Sequence, residues 1–182
     1  MEQGRGEGVN SKRARERERR GVARVVLALL LLAMAAGQLA DLPGFVEVLR
    51  DYDIDAVPLT WIIAIGLVVG EAIGGTLLLG GGTSTRASGA AVALAVGIVW
   101  SALALSAFAR GEAIENCGCF GVYVAQPLRW WILLEDLEFL VLGAWVLLGG
   151  HRSASPGRGR PRTGFRTRTM QGASDVRAPQ AR

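Results

Sequence analysis

Residues Pro58 to Gly80 read PLTWIIAIGLVVGEAIGGTLLLG, an apolar run with a single ionisable side chain, Glu71. Such a run is a candidate transmembrane helix, because about 20 apolar residues at the helical rise cross the hydrocarbon core. Three further runs flank it. Val22 to Ala40 is interrupted by Arg24 near its start and Gln38 near its end, and its length as a helix is about 28 Å. Gly89 to Ala109 has no ionisable residue, and Leu128 to Gly150 carries Trp130 and Trp131 where an interfacial aromatic belt would sit.

The expected fold is all-α: a polytopic four-transmembrane-helix bundle over residues 22–150, with helices at about 22–40, 58–80, 89–109 and 128–150. No internal repeat and no strand pattern stands out. The loop 41–57, with Asp41, Glu47, Asp51, Asp53 and Asp55 against Arg50, reads as polar. A cleaved signal peptide competes for the first run, since a basic stretch precedes it and Ala33, Ala35, Ala36 and Gly37 near its end are small. Either reading leaves the following segment on the same side.

With 182 residues there is room for one domain, and 51% of the chain is apolar while charge is bunched at the ends. Residues 1–21 and 151–182 read as disordered basic tails, being rich in Arg, Gly and charge and unable to bury much surface alone. A short helix from Ser11 to Arg20 is compatible with the Glu16 and Arg20 spacing, and the C-terminal tail is expected to rest on anionic lipid. Basic tails also attract nucleic acid, but these border apolar runs and contain no folded reading motif, so no nucleic-acid partner is expected.

Their plainer meaning is topological. Seventeen of the twenty Lys and Arg fall on the side of the two termini and the 81–88 turn, leaving Arg50, Arg110 and Arg129 on the other. The positive-inside rule then puts both termini in the cytoplasm of a multi-pass inner-membrane protein, with loops 41–57 and 110–127 periplasmic or extracellular.

The second of those loops holds the two cysteines, Cys117 and Cys119, separated by Gly118. On that side disulfides form and persist. A pair one residue apart closes only as a strained ring, and strained disulfides are the labile ones; Gly118 and Gly121 would ease the turn. A redox pair is the functional reading, a disulfide that merely pins the loop is the structural one. Metal binding is not expected, because two thiolates fall short of a four-ligand site and the single histidine, His151, lies on the opposite side.

Glu71 is the other candidate site residue, since a lone carboxyl in an apolar span is costly and normally faces the bundle interior. Gly66, Gly70, Gly74 and Gly75 beside it form a small-residue ridge for close helix approach. An intramembrane proton relay and a packing carboxyl satisfied by a backbone group or an indole are equally open. Glu135, Asp136 and Glu138 at the start of the last run belong either to a hydrated mouth beneath the cysteine loop or to the interface. Glu135 and Glu138 share a face and Asp136 points about a hundred degrees away.

These residues resemble the methylamine-utilisation protein MauE family, a branch of the DoxX-like membrane proteins. The matching features are Gly37-Gln38-Leu39-Ala40-Asp41-Leu42-Pro43-Gly44-Phe45 with Leu49 and Tyr52, Pro58, Glu71 with Gly74, and Asn116-Cys117-Gly118-Cys119-Phe120-Gly121. The resemblance implies a factor for processing, transport or disulfide formation of a periplasmic, cysteine-rich client, the small subunit of methylamine dehydrogenase. It also implies that Cys117 and Cys119 are the functional pair and Glu71 the intramembrane carboxyl. The long Arg-rich tails and the acidic cluster depart from the family pattern. A quinone-linked oxidoreductase component and a non-catalytic scaffold or transporter subunit are the alternatives. With no Rossmann fingerprint, haem-attachment motif or metal-ligand set, any redox cofactor would be borrowed from the membrane as a quinone.

Overall fold

The protein is described by a computed structural model covering residues 3–54 and 56–153. Five helices follow one another: α1 Gln3–Ala40, α2 Leu42–Arg50, α3 Val57–Leu79, α4 Thr83–Arg110 and α5 Trp130–Ser153. The four long helices pack in a closed ring, α1 on α3, α3 on α4, α4 on α5 and α5 back on α1, while the short α2 lies against α3 at one end. No strand occurs among the described residues.

Three helical segments, Ala14–Ala40, Val57–Leu79 and Thr83–Arg110, are long and apolar enough to cross a membrane. Their outward faces carry Val26, Leu29, Ile62, Ile65, Ile98 and Leu105, all exposed in the isolated chain and suited to lipid. α5, expected as the fourth span, has comparable length but brings Glu135, Asp136 and Glu138 into its first turns. That acidic load is why it stands apart from the other three.

Lipid is as apolar as leucine, so close approach of small residues organises such a bundle more than burial does. Gly75 lies against Ala28 and Leu32 of α1, Gly74 against Val92 of α4 and Leu31 of α1, and Gly70 against Val96. Gly66, expected on the same ridge, faces open space. The seam therefore starts one turn later than the four-residue spacing implies.

Two expectations are corrected. The segment 1–21 is not a separate disordered tail: its described part, from Gln3, continues α1 as helix. Extending a formed helix avoids the nucleation cost that an isolated segment would face. Arg20 also pairs with Glu16 and stacks over Trp145 of α5, 5.8 Å from the ring centre. Of the C-terminal tail expected over 151–182, residues 154–182 lie outside the described residues, and 151–153 complete α5.

The loop 41–57 is not wholly irregular either. Asp41 caps α2 by accepting the Gly44 N–H at 2.9 Å, with Pro43 in the first turn. Phe45, Val46 and Leu49 fall on one face and are fully buried, each apolar side chain contributing about 1.5–3 kcal/mol. Counting acidic residues along this stretch hides that helical spacing.

Candidate functional site

α4 ends at Gly111, whose φ of 74° is the left-handed conformation of a helix C-terminus. The chain then crosses the end of the bundle as the cysteine loop and doubles back on itself, the Cys117 N–H donating to Gln126 O at 2.8 Å and the Leu128 N–H to Ile114 O at 2.9 Å. Asn116 holds the turn from within: its Oδ1 accepts the Gly118 N–H at 3.0 Å and its amide donates to Gly121 O at 3.1 Å. Gly118 and Gly121 have φ of 83° and 71°, a backbone region that side chains disfavour.

The underside of the loop rests on helices. Gly118 faces Val48 and Phe45 of α2 and Trp100 of α4. At Gly37 of α1 an added Cβ would collide with the backbone oxygen of Phe120, and at Gly121 it would collide with the carbonyl of Gly37. Tyr52, just past α2, donates its hydroxyl to Cys117 O at 2.9 Å. Burial, with the neighbouring cysteines, pushes the Tyr52 phenol well above its usual range, so it stays a donor. Arg110 ties the end of α4 to this turn, donating to Tyr52 O at 2.9 Å and forking onto Glu112.

On this platform the free thiols of Cys117 and Cys119 sit with their sulfurs 3.3 Å apart. The hydrogen bond shared between the two sulfurs lowers the Cys117 thiol from its ordinary value despite burial, whereas the same bond and burial push Cys119 well above. The shared bond thus favours the thiolate form at Cys117 over that at Cys119. Cys117 is buried and Cys119 half-buried.

Glu71 lies fully buried in α3 beneath this loop, beside an equally buried Gln38 of α1. Its Oε1 accepts from Trp100 Nε1 at 2.9 Å and from Gln38 Nε2 at 3.1 Å. The same Gln38 nitrogen donates to Cys119 O at 3.0 Å. Gln38 therefore links the carboxyl to the cysteine loop, at a carbonyl rather than at a sulfur. Glu71 Oε2 and Gln38 Oε1 are buried without a partner.

A cavity of about 120 Å³ opens beside Cys119, with Trp100, Phe120, Phe139 and Asp136 among its walls. Asp136 is half-buried with its Oδ2 unpartnered, while Glu135, also on the cavity wall, and Glu138 are exposed. Asp136 is the inward member of the cluster; the helical spacing sets it apart from Glu135 and Glu138 but does not say which face turns inward. Among the described residues no group of three or more His, Cys, Asp or Glu is arranged to hold a metal ion.

The structure thus brings together Cys117 and Cys119, with Glu71 one residue removed through Gln38. Sequence reasoning did not give Trp100 a role or Gln38 its bridging one. The available signal was a polar residue, Gln38, near the end of an apolar run.

Fold and site define a helical membrane protein that displays a Cys-Gly-Cys loop on the end of its bundle. Residues 20–149 match the family model of methylamine utilisation protein MauE, and the chain belongs to that family. The methylamine utilization protein MauE of Paracoccus denitrificans is 30% identical over 126 residues, 69% of this chain and 67% of that protein. No solved structure matches.

Proposed function

We propose that this protein is a membrane maturation factor that transfers a disulfide from Cys117 and Cys119 to a cysteine-rich client outside the cytoplasm. The family's link to methylamine utilisation favours the small subunit of methylamine dehydrogenase as that client. The observation that carries this reading is the sulfur pair itself, 3.3 Å apart on a loop held by Tyr52, Gln38 and Asn116.

Starting from the oxidised pair, a client thiolate attacks Cys119, the less buried residue of the two and the one on the cavity wall. A client–Cys119 bond forms as the Cys117–Cys119 bond breaks, and Cys117 leaves as the thiolate that its environment favours. A second client thiolate attacks the client sulfur of the mixed disulfide and releases Cys119. Two electrons have passed from client to pair, and the client holds a new disulfide. Glu71 positions the loop through Gln38.

The membrane arrangement proposed with it has four spans, both termini cytoplasmic and the cysteine loop outside. It is supported by the way α2, the 111–129 loop and the start of α5 share one end, while Arg20, Thr83 and Gly149 meet at the other. α5 must then run the length of the bundle.

A second reading, quinone-linked oxidation of the pair, is favoured by the aromatic-walled cavity at Cys119. There the dithiol would become a disulfide as a quinone takes two electrons and two protons to a quinol. Both readings are tested on purified protein. The oxidised pair should convert reduced client to its disulfide form stoichiometrically, and the Cys117→Ser/Cys119→Ser double variant should not. Unimpaired client maturation in cells carrying that double variant would overturn the exchange. Reduced protein that leaves a soluble quinone analogue unreduced would remove the second reading.

A further inference from the structure

At the end of the bundle away from the cysteines, a cavity of about 270 Å³ is lined by Arg17, Arg20 and Arg24 of α1, Thr83 and Arg86 of α4, and Gly149 of α5. Four guanidinium groups converge there from two helices. Arg20 is paired with Glu16 and packs on Gly149, and Arg86 Nε donates to Gly80 O at 2.9 Å. No carboxylate pairs with Arg17, Arg24 or Arg86 among the described residues.

Three of the guanidinium nitrogens facing this region, Arg20 Nε and Arg24 Nε and Nη1, are buried with no hydrogen-bond partner. An unsatisfied donor on a charged group is expensive where water is excluded. The first turn of α4 adds to the demand. Its N-cap is Gly82 with no side-chain cap, so the opening N–H groups and the positive end of the helix dipole face the same region. The chemistry that suits these donors is an anion with several acceptor oxygens, the geometry that guanidinium forks match best.

We propose that this pocket binds a phosphate ester, either the headgroup of an anionic phospholipid or a soluble phosphate compound. Val146 and Ala87 complete its wall, and it sits at the end of lipid-spanning helices, where basic pockets take anionic headgroups. The site is independent of the thiol chemistry and does not depend on the client proposed above.

The test uses the full chain in detergent micelles, with binding of added phosphatidylglycerol or phosphatidylcholine followed by native mass spectrometry and by the thermal midpoint. Phosphatidylglycerol should bind and phosphatidylcholine should not. Arg24→Gln/Arg86→Gln should weaken binding at least tenfold, and Arg17→Gln, at an exposed position outside the packed core, should weaken it in the same direction. Arg50→Gln, at the opposite end, should leave it unchanged. Inorganic phosphate that competes at millimolar concentration assigns the site to a soluble phosphate, and phosphatidylglycerol binding indifferent to it assigns the site to lipid. Equal binding of the two lipids with no effect of inorganic phosphate overturns the proposal. So does full retention of binding in both Arg variants.

Discussion

Trp100 donates its indole N–H to Glu71 Oε1 at 2.9 Å, joining α4 to α3 inside the bundle. Trp100 also stands 6.1 Å from Phe45 of α2, ring centre to ring centre, so one side chain supports both the buried carboxyl and the floor of the cysteine loop. Trp100→Phe keeps an aromatic ring there but removes the donor. A loss of about 1–3 kcal/mol is expected, read as a lower thermal midpoint in detergent.

Glu71 itself reaches the loop at a carbonyl, so its expected role is to hold Gln38. Glu71→Gln should therefore mature client at close to the parent rate. Glu71→Leu, which strands the donors of Gln38 and Trp100, should lose roughly 2 kcal/mol or more and much of the maturation. A Glu71→Gln protein with an unchanged thermal midpoint but no client oxidation would instead make the carboxyl a proton carrier.

The two single cysteine variants should differ. In Cys117→Ser the Cys119 thiolate can attack a disulfide of the oxidised client, one client sulfur leaving as thiolate, and with no Cys117 to resolve it a reducible client adduct should accumulate in cell extracts run without reductant. Cys119→Ser leaves only the buried Cys117 and should trap several-fold less. Equal trapping by both variants would assign no preference to Cys119.

The pH dependence follows from the shared hydrogen bond. Cys117 lies below and Cys119 above the ordinary thiol range, and the thiolate is the reactive form. Alkylation of Cys117 by a small reagent should therefore rise at lower pH than for a free thiol, and that of Cys119 at higher pH. Cys119→Ser should shift the Cys117 profile upward, because a serine hydroxyl is a different donor at a different reach. Mass spectrometry of each peptide across a pH series measures this.

Topology can be checked at the C-terminus. A fluorescent reporter that matures in the cytoplasm, fused after Arg182, should be bright, and a phosphatase active only in the periplasm should be silent there. The reverse pattern would place the cysteines on the reducing side and remove the setting that disulfide transfer needs.

Much of the fold was legible because lipid imposes its own pattern: Pro58 to Gly80 and Gly89 to Ala109 can be little other than buried or lipid-facing helix. α2 was hidden by a composition argument, since its one acidic residue, Glu47, sits on the face opposite Phe45 and Leu49 and the other acidic residues of the stretch lie outside the helix. Of the helical part of 1–21, the Glu16 and Arg20 spacing suggested only a short stretch from Ser11 to Arg20, and its continuity with α1 was not legible because the segment was judged alone. The cysteine pair was legible from scarcity, there being two in the chain. An indole was anticipated as one possible partner for Glu71, but Trp100 could not be chosen among five tryptophans, because the pairing is made across helices and leaves no local spacing.

Gly37 and Gly121 have a genetic consequence. Each excludes a side chain on account of main-chain atoms belonging to the other's strand of contact, Phe120 O in one case and Gly37 O in the other. Trimming a neighbouring side chain cannot relieve a clash with backbone. A Gly37→Ala or Gly121→Ala lesion should therefore resist intragenic suppression, and revertants should restore glycine itself instead of compensating elsewhere.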